Sequence, residues 1–399
     1  MPPSEPPQDR EDASGPPLGS APGRPTRAER RARLRRQRLL ALLVAAGTFV
    51  VVLVLLFTVG PFGSHLGRPG APPLGYLIKP QGGRRYRVSA WTLGDAGSLE
   101  AAAAARAVDE VDFDWYHTQA DGSVTAERED PALVGAARGY GLNLFATVTN
   151  STSANGAFSG DVAAAVLASP DRRHRFIDDL LALVKHMGYD GVDLDWEGLK
   201  PADRAHFSAL VEELAAALHV EHRFLAIAVV PKISEPGQWA SQRYADWSSL
   251  GKAVDEFKIM TYSYSGPWGP PGPQAPLAWV DRVLSFAQRT VPAQKVSMGV
   301  PFFGFDWYGS SCAVVSAHRG ASFAATYHAA VGRDPSSREA TMTFIAGGVT
   351  HHVYFQDGTA LAAKLAELRA RHSRIAGIST WVMGEEAPGF WPLITGGLR

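Results

Sequence analysis

The chain has 399 residues but only one cysteine, Cys312, and its 39 basic side chains are balanced by 39 acidic ones. A single thiol excludes an internal disulfide framework and a zinc site built on cysteines. A formal net charge of zero gives no electrostatic reason to expect nucleic acid as a partner. Hydrophobic residues make up 46% of the sequence, so the composition is that of an ordinary globular protein.

Residues 39–60 lack any charged side chain and are rich in leucine and valine. At ~1.5 Å per residue, a helix of this length spans a hydrocarbon core of roughly 30 Å. Arginines cluster just before it, and the positive-inside rule then places the N-terminus in the cytoplasm. A cleaved signal peptide is the alternative, but its apolar region usually has about 7–15 residues. We therefore expect a single-pass plasma-membrane protein whose following domain is extracellular.

Composition divides the chain into four parts. Residues 1–38 are rich in proline, glycine and arginine and are expected to be a disordered cytoplasmic tail. Residues 39–60 are the expected signal-anchor helix, and the proline- and glycine-rich segment 61–84 reads as a linker. Residues 85–399 are expected to form the folded domain.

That domain alternates short apolar strands with helical stretches, which predicts a parallel sheet. The length and the strand count favour an α/β fold of the (β/α)₈ TIM-barrel type. A doubly wound open sheet is the alternative, but a glycine-rich phosphate loop does not follow the first strand. The predicted strands are Tyr86–Trp91, Glu110–Trp115, Asn143–Val148, Gly191–Trp196, Phe224–Val230, Glu256–Thr261, Lys295–Val300 and Gly377–Val382.

Two features depart from plain helices and strands in alternation. Residues 306–356 are too long for an ordinary loop, and inside them Thr341–Ile345 and Val349–Phe355 flank two glycines. We predict a small β-hairpin inserted after the seventh strand. Residues 161–187 are predicted to form one long helix that Gly188 ends.

Four carboxylates fall between Tyr189 and Glu197, in an apolar frame typical of a central strand. Because side chains alternate along a strand, Asp193, Asp195 and Glu197 share one face. Burial beside like charges raises the pKa of at least one of them, which lets a carboxylic acid donate a proton near neutral pH. A solvated edge strand is the alternative interpretation.

In a barrel the chemistry collects at the carboxyl ends of the strands. Those ends are rich in tryptophan and tyrosine here, which is typical of a sugar-binding cleft because pyranose faces stack on aromatic rings. The candidate substrate-binding residues are Trp91, Trp115, Tyr116, Met260, Asp306, Trp307 and Trp381.

The acidic stretch reads Asp190-Gly191-x-Asp193-x-Asp195-Trp196-Glu197. Over its whole length it resembles the signature of the family 18 glycoside hydrolases, the chitinase family. Met260-x-Tyr262 and Trp381 are similar to further motifs of that family. Residues 299–307 and 380–386 look most like its bacterial, spore-peptidoglycan-lytic branch.

The resemblance implies a retaining glycosidase whose nucleophile is the acetamido group of its own substrate. Glu197 would be the general acid and base, and Asp195 would hold the acetamido N–H. Asp193 would share a proton with Asp195, and Tyr262 would bind the acetamido oxygen, with Trp381 beneath the reacting sugar. The substrate would be a β-1,4-linked N-acetylglucosamine glycan, either peptidoglycan or chitin. Neither a metal nor an organic cofactor is implied.

Ser263 departs from the family pattern, which commonly has an aspartate after the tyrosine. Asp306 is a candidate to supply the missing anion. A non-hydrolysing glycan-binding protein on the same scaffold is therefore the alternative function, although the retained Glu197 favours an enzyme.

A second acidic run at 110–114 alternates along its strand, and we expect it to pair with basic neighbours near a rim rather than to act in catalysis. The two histidines at 351–352 face opposite ways on a strand and cannot chelate one metal together.

Overall fold

A computed structural model describes residues 80–151, 153 and 156–399. The predicted tail, signal-anchor helix and most of the linker lie outside these residues. Within the described part of the chain, no helix is both long enough and apolar enough to cross a membrane.

Eight parallel strands close into a barrel, as predicted. Each neighbouring pair along the ring is parallel, and the first strand pairs with both the last and the second, which completes the ring. Over the described residues the strands are β1 (Arg87–Thr92), β2 (Glu110–Thr118), β3 (Val124–Ala126), β4 (Asn143–Thr149), β5 (Gly191–Asp195), β6 (Phe224–Val229), β7 (Glu256–Ile259), β8 (Val296–Pro301), β9 (Phe303–Tyr308), β10 (Ser311–Ser316), β11 (Gly332–Arg333), β12 (Ala340–Ala346), β13 (Val349–Phe355) and β14 (Gly377–Met383).

The barrel strands are β1, β2, β4 to β8 and β14, while β3 pairs antiparallel with β2 outside the ring. Helices surround the barrel, and the main hydrophobic core lies between them and the outward faces of the strands. In the described residues the helices are α1 (Ala96–Ala104), α2 (Pro131–Gly139), α3 (Gly160–Leu167), α4 (Pro170–Met187), α5 (Arg204–Val220), α6 (Ala240–Arg243), α7 (Trp247–Ala253), α8 (Leu277–Thr290), α9 (Ala317–Thr326), α10 (Gly358–Arg371) and α11 (Phe390–Gly397).

The helix before the acidic strand is shorter than predicted. Residues 161–187 form two helices, α3 and α4, because Pro170 cannot continue a helix and holds Ser169 in an extended conformation. The Ser169 hydroxyl then caps α4 by accepting the N–H of Arg172. Gly188 ends α4 as predicted, with a left-handed φ of 70°.

The insertion after β8, the seventh barrel strand, is larger than the predicted hairpin. The hairpin is present as β12 and β13, with Gly347 and Gly348 in left-handed conformations at its tip. It belongs, however, to a five-stranded antiparallel sheet in the order β10-β9-β13-β12-β11, with α9 packed beside it. The sequence did not reveal this sheet because β9 starts two residues after β8 and reads as its continuation.

Candidate active site

Strand β5 carries its acidic residues into the barrel, as the alternation predicted. Asp193 and Asp195 are buried in the interior, while Val192, Leu194 and Trp196 pack in the outer core. The strand passes close to its neighbours at Gly191, where a Cβ would lie 2.5 Å from the ring of Phe145 and 2.5 Å from the carbonyl oxygen of Phe224. At its start, the Asp190 carboxylate accepts the N–H of Leu144 at 2.9 Å.

Asp193 is held by three donors from three other strands. The indole N–H of Trp91 donates to its Oδ2 at 2.7 Å, and the hydroxyl of Thr147 donates to the same oxygen at 3.1 Å. The ammonium of Lys258 lies 3.4 Å from its other oxygen, Oδ1. These contacts fix both the position and the orientation of the carboxyl group.

Asp195 lies one step nearer the carboxyl end of the barrel. Burial raises the pKa of Asp195 well above its usual range, and the charges of Glu197, Asp193 and Asp114 raise it further, while Lys258 opposes them. This environment therefore favours the protonated form of the Asp195 carboxyl group.

Glu197 follows β5 and is half-buried at its carboxyl end. Its backbone is clamped by one side chain, since the Asn150 amide oxygen accepts the Glu197 N–H at 2.9 Å and the Asn150 amide nitrogen donates to the Glu197 carbonyl at 2.8 Å. Burial raises the pKa of Glu197 to about 7. This carboxyl can therefore exist as both acid and base at neutral pH, which general acid–base catalysis requires.

Tyr262 faces the same carboxyl groups from the segment after β7. Burial raises the pKa of Tyr262 well above its ordinary value, and the charges of Asp195, Glu197 and Asp193 add to the effect. The phenol thus keeps its proton and can donate a hydrogen bond.

Aromatic side chains from the insertion form a wall beside Tyr262. Phe303 and Phe305 from β9 form a cluster with Tyr262 and Trp307. Half-buried Met260 and Trp381 pack against this cluster. The structure therefore brings together four predicted site residues around this wall, Tyr262, Met260, Trp307 and Trp381. Tyr262 also faces the three predicted acids Asp193, Asp195 and Glu197.

Three aromatic residues that we predicted to bind substrate are placed differently. Trp91 is 1% exposed, and its indole N–H is engaged by Asp193, so it supports a carboxyl instead of offering a ring to a sugar. Trp115 and Tyr116 both lie in the outer core. Trp115 packs on Phe113 with ring centroids 4.6 Å apart, and the Tyr116 hydroxyl lies 3.0 Å from that of Tyr189.

The position of Tyr116 has a local cause. The register between β2 and β4 shifts between Asp114 and Tyr116, so strict alternation fails there. This bulge turns Tyr116 into the core beside Trp115, although both were expected at the mouth of the barrel.

Asp306, which we predicted to bind substrate and to compensate for Ser263, lies on β9 of the insertion. On β9 it alternates with Phe305 and Trp307 and so faces away from the aromatic wall. Its Oδ2 lies 2.7 Å from the Nδ1 of His351 on β13. The structure therefore does not support a role for Asp306 in binding substrate or in compensating for Ser263.

Ser263 itself is half-buried and has a left-handed backbone, with a φ of 58°. Aspartate and asparagine adopt this conformation more readily than most residues. The backbone at this position is therefore still one that suits the family's aspartate.

The acidic run on β2 lies inside the barrel and not near a rim. Glu110 and Asp112 are fully buried and pair with Lys258, at 3.1 Å and 2.7 Å. Pairing with a basic neighbour was predicted correctly, but the location was not. Asp114 is also buried, and burial together with the charges of Asp193 and Glu127 raises its pKa to about 7.

Lys258 was missed by the sequence reasoning. A signal for it existed, because Glu256 and Lys258 alternate on a predicted central strand and so share its interior face. A charge there requires a buried partner of opposite sign, and that partner is 146 residues away in the sequence.

Comparison with known proteins agrees with this geometry. Residues 152–386 match the family described as Glycosyl hydrolases family 18. The chain is 28% identical over 267 residues to the uncharacterized glycosylase YvbX of Bacillus subtilis, an alignment that covers 65% of this chain and 76% of YvbX. It is 27% identical over 247 residues to a cortical fragment-lytic enzyme of Bacillus anthracis, covering 60% of this chain and 57% of that protein.

The fold is also similar to solved structures. A chitinase from Chromobacterium violaceum superimposes with a TM-score of 0.73 at 26% identity, over 79% of this chain and 99% of the chitinase.

Proposed function

The chain belongs to family 18 of the glycosyl hydrolases and is a glycosidase, and from this premise we propose that it cleaves β-1,4-linked N-acetylglucosamine glycans by substrate-assisted, retaining catalysis. Glu197 is the general acid and base of this proposal. Asp195, Asp193 and Tyr262 assist it, and Trp381 lies beneath the reacting sugar.

In the first step the carbonyl oxygen of the 2-acetamido group attacks the anomeric carbon while the glycosidic C–O bond breaks. Glu197 gives its proton to the leaving oxygen, and the sugar becomes an oxazolinium ion. In the second step the Glu197 carboxylate takes a proton from water, and that water attacks the anomeric carbon. The oxazolinium ring opens, and the product keeps its original configuration.

The other groups orient the acetamido group and stabilise charge. Asp195 accepts the acetamido N–H, and the negative charge that it shares with Asp193 stabilises the positive charge of the intermediate. The protonated phenol of Tyr262 donates a hydrogen bond to the acetamido oxygen.

One observation carries this proposal. Burial raises the pKa of Glu197 to about 7, next to a second carboxyl, Asp195, whose pKa is also raised. Paired carboxyl groups with raised pKa values, at the carboxyl end of a barrel strand and beside an aromatic wall, are suited to acid–base cleavage of a glycosidic bond.

For the substrate we propose peptidoglycan, with chitin as the alternative. The name of the Bacillus anthracis relative refers to fragments of a cortex, although the chain spans only 57% of that protein. The chitinase from Chromobacterium violaceum favours the alternative. An outward-facing domain tethered by residues 39–60, which we also propose, would lie next to envelope glycan.

The test compares the full-length protein with two variants on peptidoglycan and on chitin oligosaccharides, with products identified by mass spectrometry. Glu197→Gln removes the acid and is expected to lower the rate by about 10²–10⁴-fold. Glu100→Gln changes an exposed glutamate on α1 and serves as the matched control. Cleavage of chitin alone would refute the peptidoglycan proposal, and equal rates for Glu197→Gln and wild type would refute the mechanism.

A further inference from the structure

Lys258 is a fully buried ammonium in the barrel interior, surrounded by three carboxyl groups. Its Nζ lies 2.7 Å from Asp112, 3.1 Å from Glu110 and 3.4 Å from Asp193. The ammonium also lies over the ring of Trp91, 5.2 Å from its centroid. Desolvation lowers the pKa of Lys258, but the surrounding carboxylates outweigh it and hold that pKa well above its ordinary value. Lys258 is therefore a cation.

Two further acidic groups near Lys258, Glu256 and Glu110, have different surroundings. Glu256, on the same strand, pairs with Arg87 of β1 at 2.7 Å and accepts the hydroxyl of Ser297 from β8 at 2.6 Å. On β2, burial and the charge of Glu256 raise the pKa of Glu110 to about 7.

Asp112, also on β2, has its pKa raised well above its usual range by burial. Burial thus opposes the carboxylate form of both acidic groups of β2, while the charge of Lys258 supports it.

Asp193 has further donors besides Lys258. The indole N–H of Trp91 can only donate, and it lies 2.7 Å from Asp193 Oδ2. The hydroxyl of Thr147 is 3.1 Å from the same oxygen. Two hydrogen bonds and an ammonium stabilise the carboxylate form of a buried acid. The surroundings of Asp193 therefore support a negative charge on it beside Lys258.

We propose that Lys258 is a positioning residue of this glycosidase: its ammonium holds Asp193 as an anion, so that the one proton of the Asp193–Asp195 pair lies on Asp195, next to Glu197. The inference rests on the proposed function, in which these three carboxyl groups carry the reaction. Lys258 touches no substrate and acts through Asp193.

The proposal has a consequence for the pH dependence of the reaction. A second proton on the Asp193–Asp195 pair would abolish the negative charge of the pair, so the uptake of this proton sets the acid limb of the kcat profile. An opposite charge within about 4–6 Å lowers the pKa of a carboxyl by about 1–3 units. Removal of the ammonium in Lys258→Met is therefore expected to move the acid limb upward by about one to three pH units.

Lys258→Met leaves buried carboxyl groups without their cation and lowers stability, so a second variant is needed. Lys258→Met/Asp112→Asn removes both members of the 2.7 Å ion pair and is expected to regain thermal stability. The proposal requires that its acid limb stays above that of Asp112→Asn, from which it differs only at Lys258. Asp112→Asn alone leaves the ammonium beside Asp193 and is the control, in which the acid limb does not move upward.

Two results would overturn the proposal. One is a double variant that regains stability and has the same acid limb as Asp112→Asn, because Lys258 would then act only on folding. The other is a wild-type pH profile in both Lys258 variants.

A spectroscopic measurement independent of turnover separates this inference from the proposed function. In full-length protein with ¹³C-labelled aspartate carboxyls, the Asp193 resonance, assigned with Asp193→Asn, is expected at neutral pH to have the chemical shift of a carboxylate in Asp112→Asn and to move toward that of a carboxylic acid in the double variant. If wild type cleaves no glycan, the proposed function fails while this measurement still decides the role of Lys258. An Asp193 resonance that is the same in both variants refutes that role.

Discussion

Replacing Trp91 with phenylalanine tests whether this tryptophan supports a catalytic carboxyl or binds sugar. The side chain is 1% exposed, and its N–H donates to Asp193 at 2.7 Å. Phenylalanine keeps an apolar ring in place but removes this donor. Thr147 and Lys258 remain, so Asp193 loses one of its three supports.

The size of the effect follows from that one hydrogen bond. A hydrogen bond to a charged group contributes roughly 1.5–3 kcal/mol. If the loss is expressed fully in the transition state, kcat falls by roughly 10- to 150-fold, since each 1.36 kcal/mol corresponds to a factor of ten. KM is expected to change little, because the Trp91 ring does not reach the surface of the cleft.

The assay measures kcat and KM on glycan oligosaccharides by the release of reducing ends. Thr147→Val removes the other hydrogen-bond donor, at 3.1 Å, while nearly keeping the side-chain shape, so it is also expected to lower kcat. Trp381→Phe changes a half-buried ring of the aromatic wall and is expected to raise KM. If Trp91→Phe raises KM as Trp381→Phe does and leaves kcat intact, Trp91 contacts the sugar and the reasoning is refuted.

Three further predictions concern pH and stability. The raised pKa of Glu197, about 7, predicts that kcat falls as pH rises above about 7. Between about pH 4.5 and pH 7 the folded state holds a proton on Glu197 that the unfolded chain has lost, so the free energy of unfolding falls as pH rises through this range. Urea titrations should find this fall absent in Glu197→Gln. At the left-handed Ser263, a change to aspartate is expected to be tolerated, whereas valine should cost about 1–2 kcal/mol in denaturant unfolding. Arg84→Met leaves Asp109 buried without its 2.6 Å ion pair, and calorimetry should show a loss of about 3–5 kcal/mol with kcat unchanged, because the pair lies at the amino-terminal end of the barrel.

The sequence was sufficient to predict the eight strands of the barrel. Their hydrophobic pattern and the helices between them are local properties, and each predicted strand overlaps an observed one. The acid trio could be predicted for the same reason, since a two-residue period fixes which side chains share a face of β5. The break at Pro170 was also visible in the sequence, although a continuous hydrophobic pattern led us to predict one helix.

Only the tertiary structure decided the roles of the aromatic residues. Position at the end of a strand is compatible with both the cleft and the outer core. Trp115 shares the outward face of Phe113, and the bulge after Asp114 puts Tyr116 in the core beside it. Trp91 lies inside the barrel, where its indole N–H donates a hydrogen bond to Asp193. Asp306 lies in the insertion after the seventh barrel strand, but its carboxylate faces His351 because β9 pairs with β13.

The sequence by itself determined which segments become strands, which residues share a face of β5 and which carboxyl groups could hold a proton. The tertiary structure determined which partner each buried charged group contacts. Lys258 reaches Asp112 across 146 residues of sequence and Asp193 across the barrel. Periodicity carries no information on such distant contacts, because it reports the face on which a side chain lies and not the side chain that closure of the barrel brings opposite to it.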